Sequence, residues 1–125
     1  LMDKKRTLIV GDVHGCFKEL EELLLKAKYN KAEDRLIFLG DLINKGPSSM
    51  EVLEWVKNEG CEVILGNHEL GFLNYLEDPE DEDEDKMPVF DLLISQMKGT
   101  EQEWAKWFKT FPLYIEEENV ILVHG

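Results

Sequence analysis

The sequence predicts an α/β fold, with a parallel or mixed sheet and helices packed on it. Two observations carry that expectation. A unit of short apolar run, glycine, polar cluster and helix-spaced apolar residues occurs three times in the first two-thirds of the chain. The three polar clusters all fall where an apolar run ends, and open sheets of this kind bind ligands at the carboxyl ends of their strands.

The elements follow in order. Thr7–Val10 reads as a first strand ending at Gly11. Phe17, Leu20, Leu24 and Ala27 recur at helical spacing, with Glu22 and Lys26 four apart in the favourable order. Leu36–Leu39 is a second strand ending at Gly40. Ser48 with Glu51 forms a capping box, Met50, Leu53 and Val56 line one helix face, and Gly60 stops that helix. Val63–Leu65 is a third strand ending at Gly66, and a helix runs from about His68 to Leu76. Residues 77–88 read as a solvated acidic loop. Val89–Met97 is a further helix. Thr100 and Glu103 form a second capping box, before Trp104, Trp107 and Phe108 on one core-facing side. Pro112 ends that helix, and Leu113–Ile115 and Val120–Val123 form a hairpin joined by Glu116–Asn119.

A chain of 125 residues with 43% hydrophobic content suits one globular domain, residues 1–125. No apolar run is long enough to span a bilayer, and Thr7–Val10 is too short for a signal-peptide core, so no membrane partner is expected. The net charge of −13 excludes general binding to a nucleic acid backbone. Much of that charge is local, since eight of the nine residues from Glu77 to Asp85 are acidic. Cys16 and Cys61 are the two cysteines, far apart, with no disulfide framework, which points to the cytoplasm.

The polar clusters carry the chemistry. In Gly11-Asp12-Val13-His14-Gly15, the carboxylate and imidazole two residues apart share one side of an extended turn. Such donors suit Mn²⁺, Fe or Zn²⁺. Gly40-Asp41-Leu42-Ile43-Asn44-Lys45-Gly46-Pro47 again places an Asp after a strand and a glycine. One carboxylate has two oxygens and can bridge two cations, while Lys45 supplies positive charge to a phosphate oxygen. In Gly66-Asn67-His68-Glu69, the Asn67 amide oxygen is a neutral ligand and His68 an acid or phosphate contact. Glu69 either orients its neighbours or begins the helix, where negative charge is favourable. Cys16 reads as a packing residue, and Ser48 and Ser49 as caps. All three histidines, His14, His68 and His124, fall at strand ends.

This series resembles the calcineurin-like metallophosphoesterases, and more narrowly the phosphoprotein phosphatase superfamily. The motifs are Gly-Asp-Val-His-Gly, Gly-Asp-Leu with Lys-Gly-Pro, Gly-Asn-His-Glu, and a later strand ending in His. The resemblance covers nearly the whole chain. It implies a sandwich of two β-sheets flanked by helices (α-β-β-α), of which this chain is expected to hold the N-terminal part. It implies a hydrolase with two divalent metal ions, Mn²⁺ foremost, with Fe, Co²⁺ or Zn²⁺ admitted by the same donors. Asp12 and His14 would hold the first metal, Asp41 would bridge, and Asn67 and His124 would hold the second. His68 would be the acid or phosphate contact, and Lys45 would replace a phosphate-binding Arg without its bidentate geometry. A water bridging two cations, its pKa lowered, would attack phosphorus in line.

The stretch Gly40 to Leu53 most resembles the symmetrical diadenosine tetraphosphatases and ApaH-like phosphatases, so a nucleotide substrate is expected. The protein Ser/Thr phosphatases, an alternative reading, carry Asp-Arg-Gly where this chain has Asn44-Lys45-Gly46. In that branch the Asp keeps the histidine a good acid. A serine alkoxide needs a strong acid to leave, whereas a nucleoside diphosphate leaves a phosphoanhydride with little protonation. Asn44 therefore fits anhydride cleavage. Family members are longer and supply a further histidine ligand and a second phosphate-binding Arg beyond residue 125. From this follow three expectations: weak second-metal binding, a possible inactive metal-binding fragment, and self-association through an incomplete sheet.

Overall fold

The computed structural model describes residues 6–79 and 87–125. Three short parallel strands form the first sheet: β1 (Arg6–Val10), β2 (Asp34–Phe38) and β3 (Glu62–Val63), in the order β1-β2-β3. Their register pairs Val10 with Phe38 and Phe38 with Val63, so the three carboxyl ends lie side by side. β2 is central, and its residues Leu36, Ile37 and Phe38 are buried, as a strand covered on both faces requires. Ile9 on the edge strand β1 is exposed. Arg6 joins the starts of β1 and β2 through a two-pronged pair with buried Asp34 (3.1 and 2.9 Å).

Helices follow the strands as the apolar spacing predicts. In α1 (Phe17–Lys26), Leu20 and Leu24 face the core. In α2 (Ser49–Glu59), Val52, Leu53 and Val56 do so. Gly60 ends α2 with a left-handed φ of 74°, a conformation that a Cβ disfavours. α1 packs on α2. The capping boxes behave differently from expectation. Ser48 occupies the N-cap of α2 and Thr100 that of α5 (Glu101–Phe108), but neither side chain makes a capping bond. The Thr100 hydroxyl donates instead to the Met97 carbonyl (2.5 Å).

The third strand is shorter than Val63–Leu65. Ile64 still donates to the Phe38 carbonyl (2.9 Å), but the Leu65 N–H turns to the Pro112 carbonyl (2.8 Å). This bond ties the segment after α5 to the outer side of β3. α3 (Asn67–Glu77) starts one residue before the expected position and takes in Glu77, the first residue of the expected acidic loop. Residues 80–86 of that loop lie outside the described residues, and its end enters α4 (Met87–Met97).

α3 packs on α4 and α5, and α4 also on α2. An aromatic cluster holds the three together. Phe72 of α3 meets Phe90 of α4 and Phe108 of α5, with centroids 6.0 and 5.4 Å apart. Phe111 closes the cluster against Phe108 and Trp107. Phe108 is fully buried as expected, whereas Trp104 and Trp107 are only half-buried. Lys57 lies over the Trp104 ring, 5.0 Å from its centroid, so these indoles form the rim of the core rather than its centre.

The chain ends in an antiparallel hairpin, β4 (Tyr114–Glu117) and β5 (Val120–Val123), a second sheet with Glu117 opposite Val120. Its turn is therefore Glu118-Asn119, two residues shorter than expected, because β4 extends through Glu116 and Glu117. Tyr114, Val120, Ile121 and Val123 are exposed. Arg35 of β2 bonds both Glu62 of β3 (2.7 Å) and Glu117 of β4, tying hairpin to sheet. Among the described residues, no helix is long and apolar enough to cross a membrane.

The aromatic cluster yields a stability prediction. Phe72→Ala should cost about 3–5 kcal/mol in urea unfolding. Leu25→Ala, on the exposed face of α1, should change stability by no more than about 0.5 kcal/mol.

Candidate metal centre

Two loops at the strand ends are zipped together by their backbones. Val13 and His14 N–H groups both donate to the Asp41 carbonyl (3.1 and 2.9 Å), and Gly15 donates to Leu42 (2.8 Å). Gly46 in turn donates to the His14 carbonyl (2.7 Å), an approach so close that a Cβ on Gly46 would lie 2.3 Å from that oxygen. The zipper forces unusual conformations. His14, Asp41, Asn44 and Lys45 all have left-handed φ values, 47°, 54°, 71° and 71°. Each costs of order 1–3 kcal/mol and persists only where the surroundings impose it.

The main restraint is Glu69. It is fully buried in the first turn of α3. Its Oε1 accepts the Asp41 N–H (2.7 Å) and its Oε2 the Leu42 N–H (2.8 Å). Burial pushes the Glu69 carboxyl above its ordinary value, and the two N–H bonds pull it part of the way back. Ser49 adds a second restraint. Its buried hydroxyl accepts the Asn44 N–H (3.0 Å), so it braces the loop in addition to beginning α2. The sequence left Glu69 open between two roles and read Ser49 only as a cap.

The restrained loop presents Asp41 at the centre of the site, 5% exposed. Its Oδ1 accepts the His68 N–H at the start of α3 (2.9 Å), a favourable place for negative charge. Its Oδ2 lies 3.2 Å from His124 Nε2 and 3.8 Å from His14 Nε2. Asp12 Oδ2 is 3.4 Å from His14 Nε2. Both histidines are oriented by backbone carbonyls. His14 Nδ1 donates to Ile43 (3.0 Å) and His124 Nδ1 to Leu39 (2.8 Å), which leaves each Nε2 lone pair free for a cation.

Two triads result, His14–Asp41–His68 and Asp12–Asp41–His124, with the ligand atoms within 4.8 Å of one another. Asp41 belongs to both. The grouping differs from the expected one in two respects. His68, expected as an acid or phosphate contact, lies close enough to be grouped with the first triad, its ring edge-on to His14, 4.8 Å away. Asp12, expected beside His14 on the first metal, also groups with His124. Imidazole nitrogens and carboxylate oxygens in this number fit Mn²⁺, Fe, Co²⁺ or Zn²⁺. Asn67 is exposed as the first residue of α3, and Lys45 is exposed on the loop beside Asn44. The Asn44 amide donates from Nδ2 to His68 Nδ1 (2.9 Å).

Known proteins are similar to this chain in sequence and in fold. Residues 5–125 match the family described as calcineurin-like phosphoesterase. The chain belongs to the calcineurin-like phosphoesterases, a family that uses divalent metal ions. Among curated proteins it is similar to the symmetrical bis(5'-nucleosyl)-tetraphosphatase of Coxiella burnetii, at 37% identity over 97% of this chain and 42% of that protein. The protein of the same name from Psychromonas ingrahamii is 38% identical, over 95% of this chain and 43% of that one. The chain thus spans less than half the length of these relatives. A crystal structure of a candidate diadenosine tetraphosphatase superposes with a TM-score of 0.75 at 30% identity, covering 94% of this chain and 49% of that one. A protein serine/threonine phosphatase from Saccharomyces cerevisiae superposes with a TM-score of 0.56 at 25% identity, covering 86% and 33%.

Glu69→Ala would leave two buried N–H groups unpaired and release Asp41. We expect stability to fall by about 1–3 kcal/mol and Mn²⁺ affinity by about 10–100-fold, read by urea unfolding and calorimetric titration. Glu69→Gln, which turns an amide N–H₂ toward one of those donors, should also weaken Mn²⁺ binding. Unchanged Mn²⁺ affinity in both variants would refute the role.

Proposed function

We propose that the protein hydrolyses phosphoanhydride bonds of nucleotides, as a symmetrical dinucleoside tetraphosphatase or an ApaH-like phosphatase. The observation that carries this reading is the Asn44–His68 contact (2.9 Å). An amide that donates to Nδ1 leaves the ring proton on Nε2 and holds the imidazole neutral. Such a ring donates a hydrogen bond to a phosphate oxygen, but it is a weak acid toward a leaving group. A nucleoside diphosphate needs no strong acid; a serine alkoxide does. The curated relatives named tetraphosphatases support the same branch.

In this reading Asp12, His14 and Asp41 hold one divalent cation, and Asp41, Asn67 and His124 hold a second, Mn²⁺ being our first candidate. Bound there, the cations would lower the pKa of a water and offset charge developing on phosphorus. The residues of this chain do the rest. Asp41, whose Oδ2 faces both His14 and His124, would contribute to both sites, while His68 contacts the phosphate and Lys45 adds positive charge at a phosphate oxygen. A cytoplasmic setting suits the free thiols of Cys16 and Cys61.

Incubation with Mn²⁺ and diadenosine tetraphosphate, with products separated by chromatography, should give ADP alone. ATP with AMP would exclude symmetrical cleavage. The protein extended to the length of its relatives carries the same test.

Asn44→Asp tests the acid argument. General acid catalysis contributes about 10²–10⁴-fold, so the variant should raise phosphomonoester turnover relative to anhydride turnover by about tenfold or more. A large rise in anhydride turnover with phosphomonoester turnover flat would overturn the argument.

A further inference from the structure

Past Asn44 and Lys45 the surface opens into a cavity of about 400 Å³ that the metal chemistry leaves unused. One end is the strained loop, with Asn44, Lys45 and Pro47. The facing wall is α4, through Val89, Leu92 and Gln96. Positions 89, 92 and 96 recur at helical spacing and share one side of α4. Val89 and Leu92 are exposed, Leu92 at 61%, although α4 packs elsewhere on α2 and α3.

The lining defines the chemistry of an occupant. It contains no carboxylate and no imidazole, so it does not select a cation. It offers aliphatic walls, the Gln96 amide (the other lining amide, Asn44, being bonded to His68), and the ammonium of Lys45. A flat heterocycle joined to a phosphate matches all three. The wall takes the apolar face of the base, the amide takes a donor–acceptor edge, and the lysine takes the phosphate. A glutamine amide pairs with adenine through the 6-amino group and N7. In a chain of net charge −13, Lys45 also marks where a phosphate can approach.

We propose that this cavity is the subsite for one purine nucleoside of the substrate. Leu92 and Val89 lie against the base, Gln96 reads its edge, and Lys45 holds the adjoining phosphate. The inference rests on the phosphoanhydride reading above and names the part of the substrate that the α4 face selects. Both Leu92 and Gln96 are exposed, so their replacement leaves the core intact.

The test is calorimetric titration in Mn²⁺ with ADP, inosine diphosphate and pyrophosphate, on the wild type, Gln96→Ala, and Leu92→Ser/Gln96→Ala. Apolar pocket contacts of this size discriminate by roughly 10–200-fold. We expect the wild type to bind ADP at least about tenfold more tightly than pyrophosphate. The double variant should lose that preference while its pyrophosphate affinity stays unchanged. Gln96→Ala alone should abolish any preference for ADP over inosine diphosphate. A wild type that does not prefer ADP to pyrophosphate, or a double variant with unaltered ADP affinity, overturns the subsite. The parent reading fails differently: ADP remains preferred and the subsite stands, but diadenosine tetraphosphate yields no ADP.

Discussion

A carboxylate with no exposure to water holds this site in shape. Glu69 lies under the loop that follows β2, and both of its oxygens accept backbone N–H groups from that loop. Burying a charge is costly unless it is well bonded, and these two bonds offset part of that cost. In exchange, Asp41 is fixed in a left-handed conformation that it would not otherwise keep. Every other donor is then placed relative to Asp41. The His68 N–H bonds its Oδ1, the His14 and His124 rings face its Oδ2, and the Asp41 carbonyl anchors the loop carrying Asp12 and His14.

Much of this was legible in the sequence because it is local. An apolar run closed by glycine marks each strand end, and Leu20, Leu24, Val52, Leu53 and Val56 show their helix faces by spacing alone. Asp12 and His14, two residues apart, announce a shared face. The family resemblance rests on the same short motifs, and residues 5–125 match the family throughout.

What the sequence hid depends on contacts between distant segments. The part that Glu69 plays becomes visible only when the loop after β2 is folded over it, 27 and 28 residues away. Ser49 looked like a cap because Ser, Thr, Asp and Asn favour that place, yet its hydroxyl is committed to Asn44. Thr100 is likewise diverted, to Met97. On the far edge of the third strand, the Leu65 N–H bonds the Pro112 carbonyl, 47 residues later in the chain. The α4 wall of the cavity gave no sign, since Val89, Leu92 and Gln96 acquire a purpose only from the loop opposite.

His124 reaches the site from the far end of the chain, and its Nδ1 is anchored on the Leu39 carbonyl 85 residues earlier. Closing a contact of such sequence separation costs loop entropy. A cation held between Asp41 and His124 would therefore link its binding to closure of the β4–β5 hairpin onto the first sheet. Such an ion would slow hydrogen exchange in the hairpin, and fraying of the hairpin would loosen the hold of His124 on it.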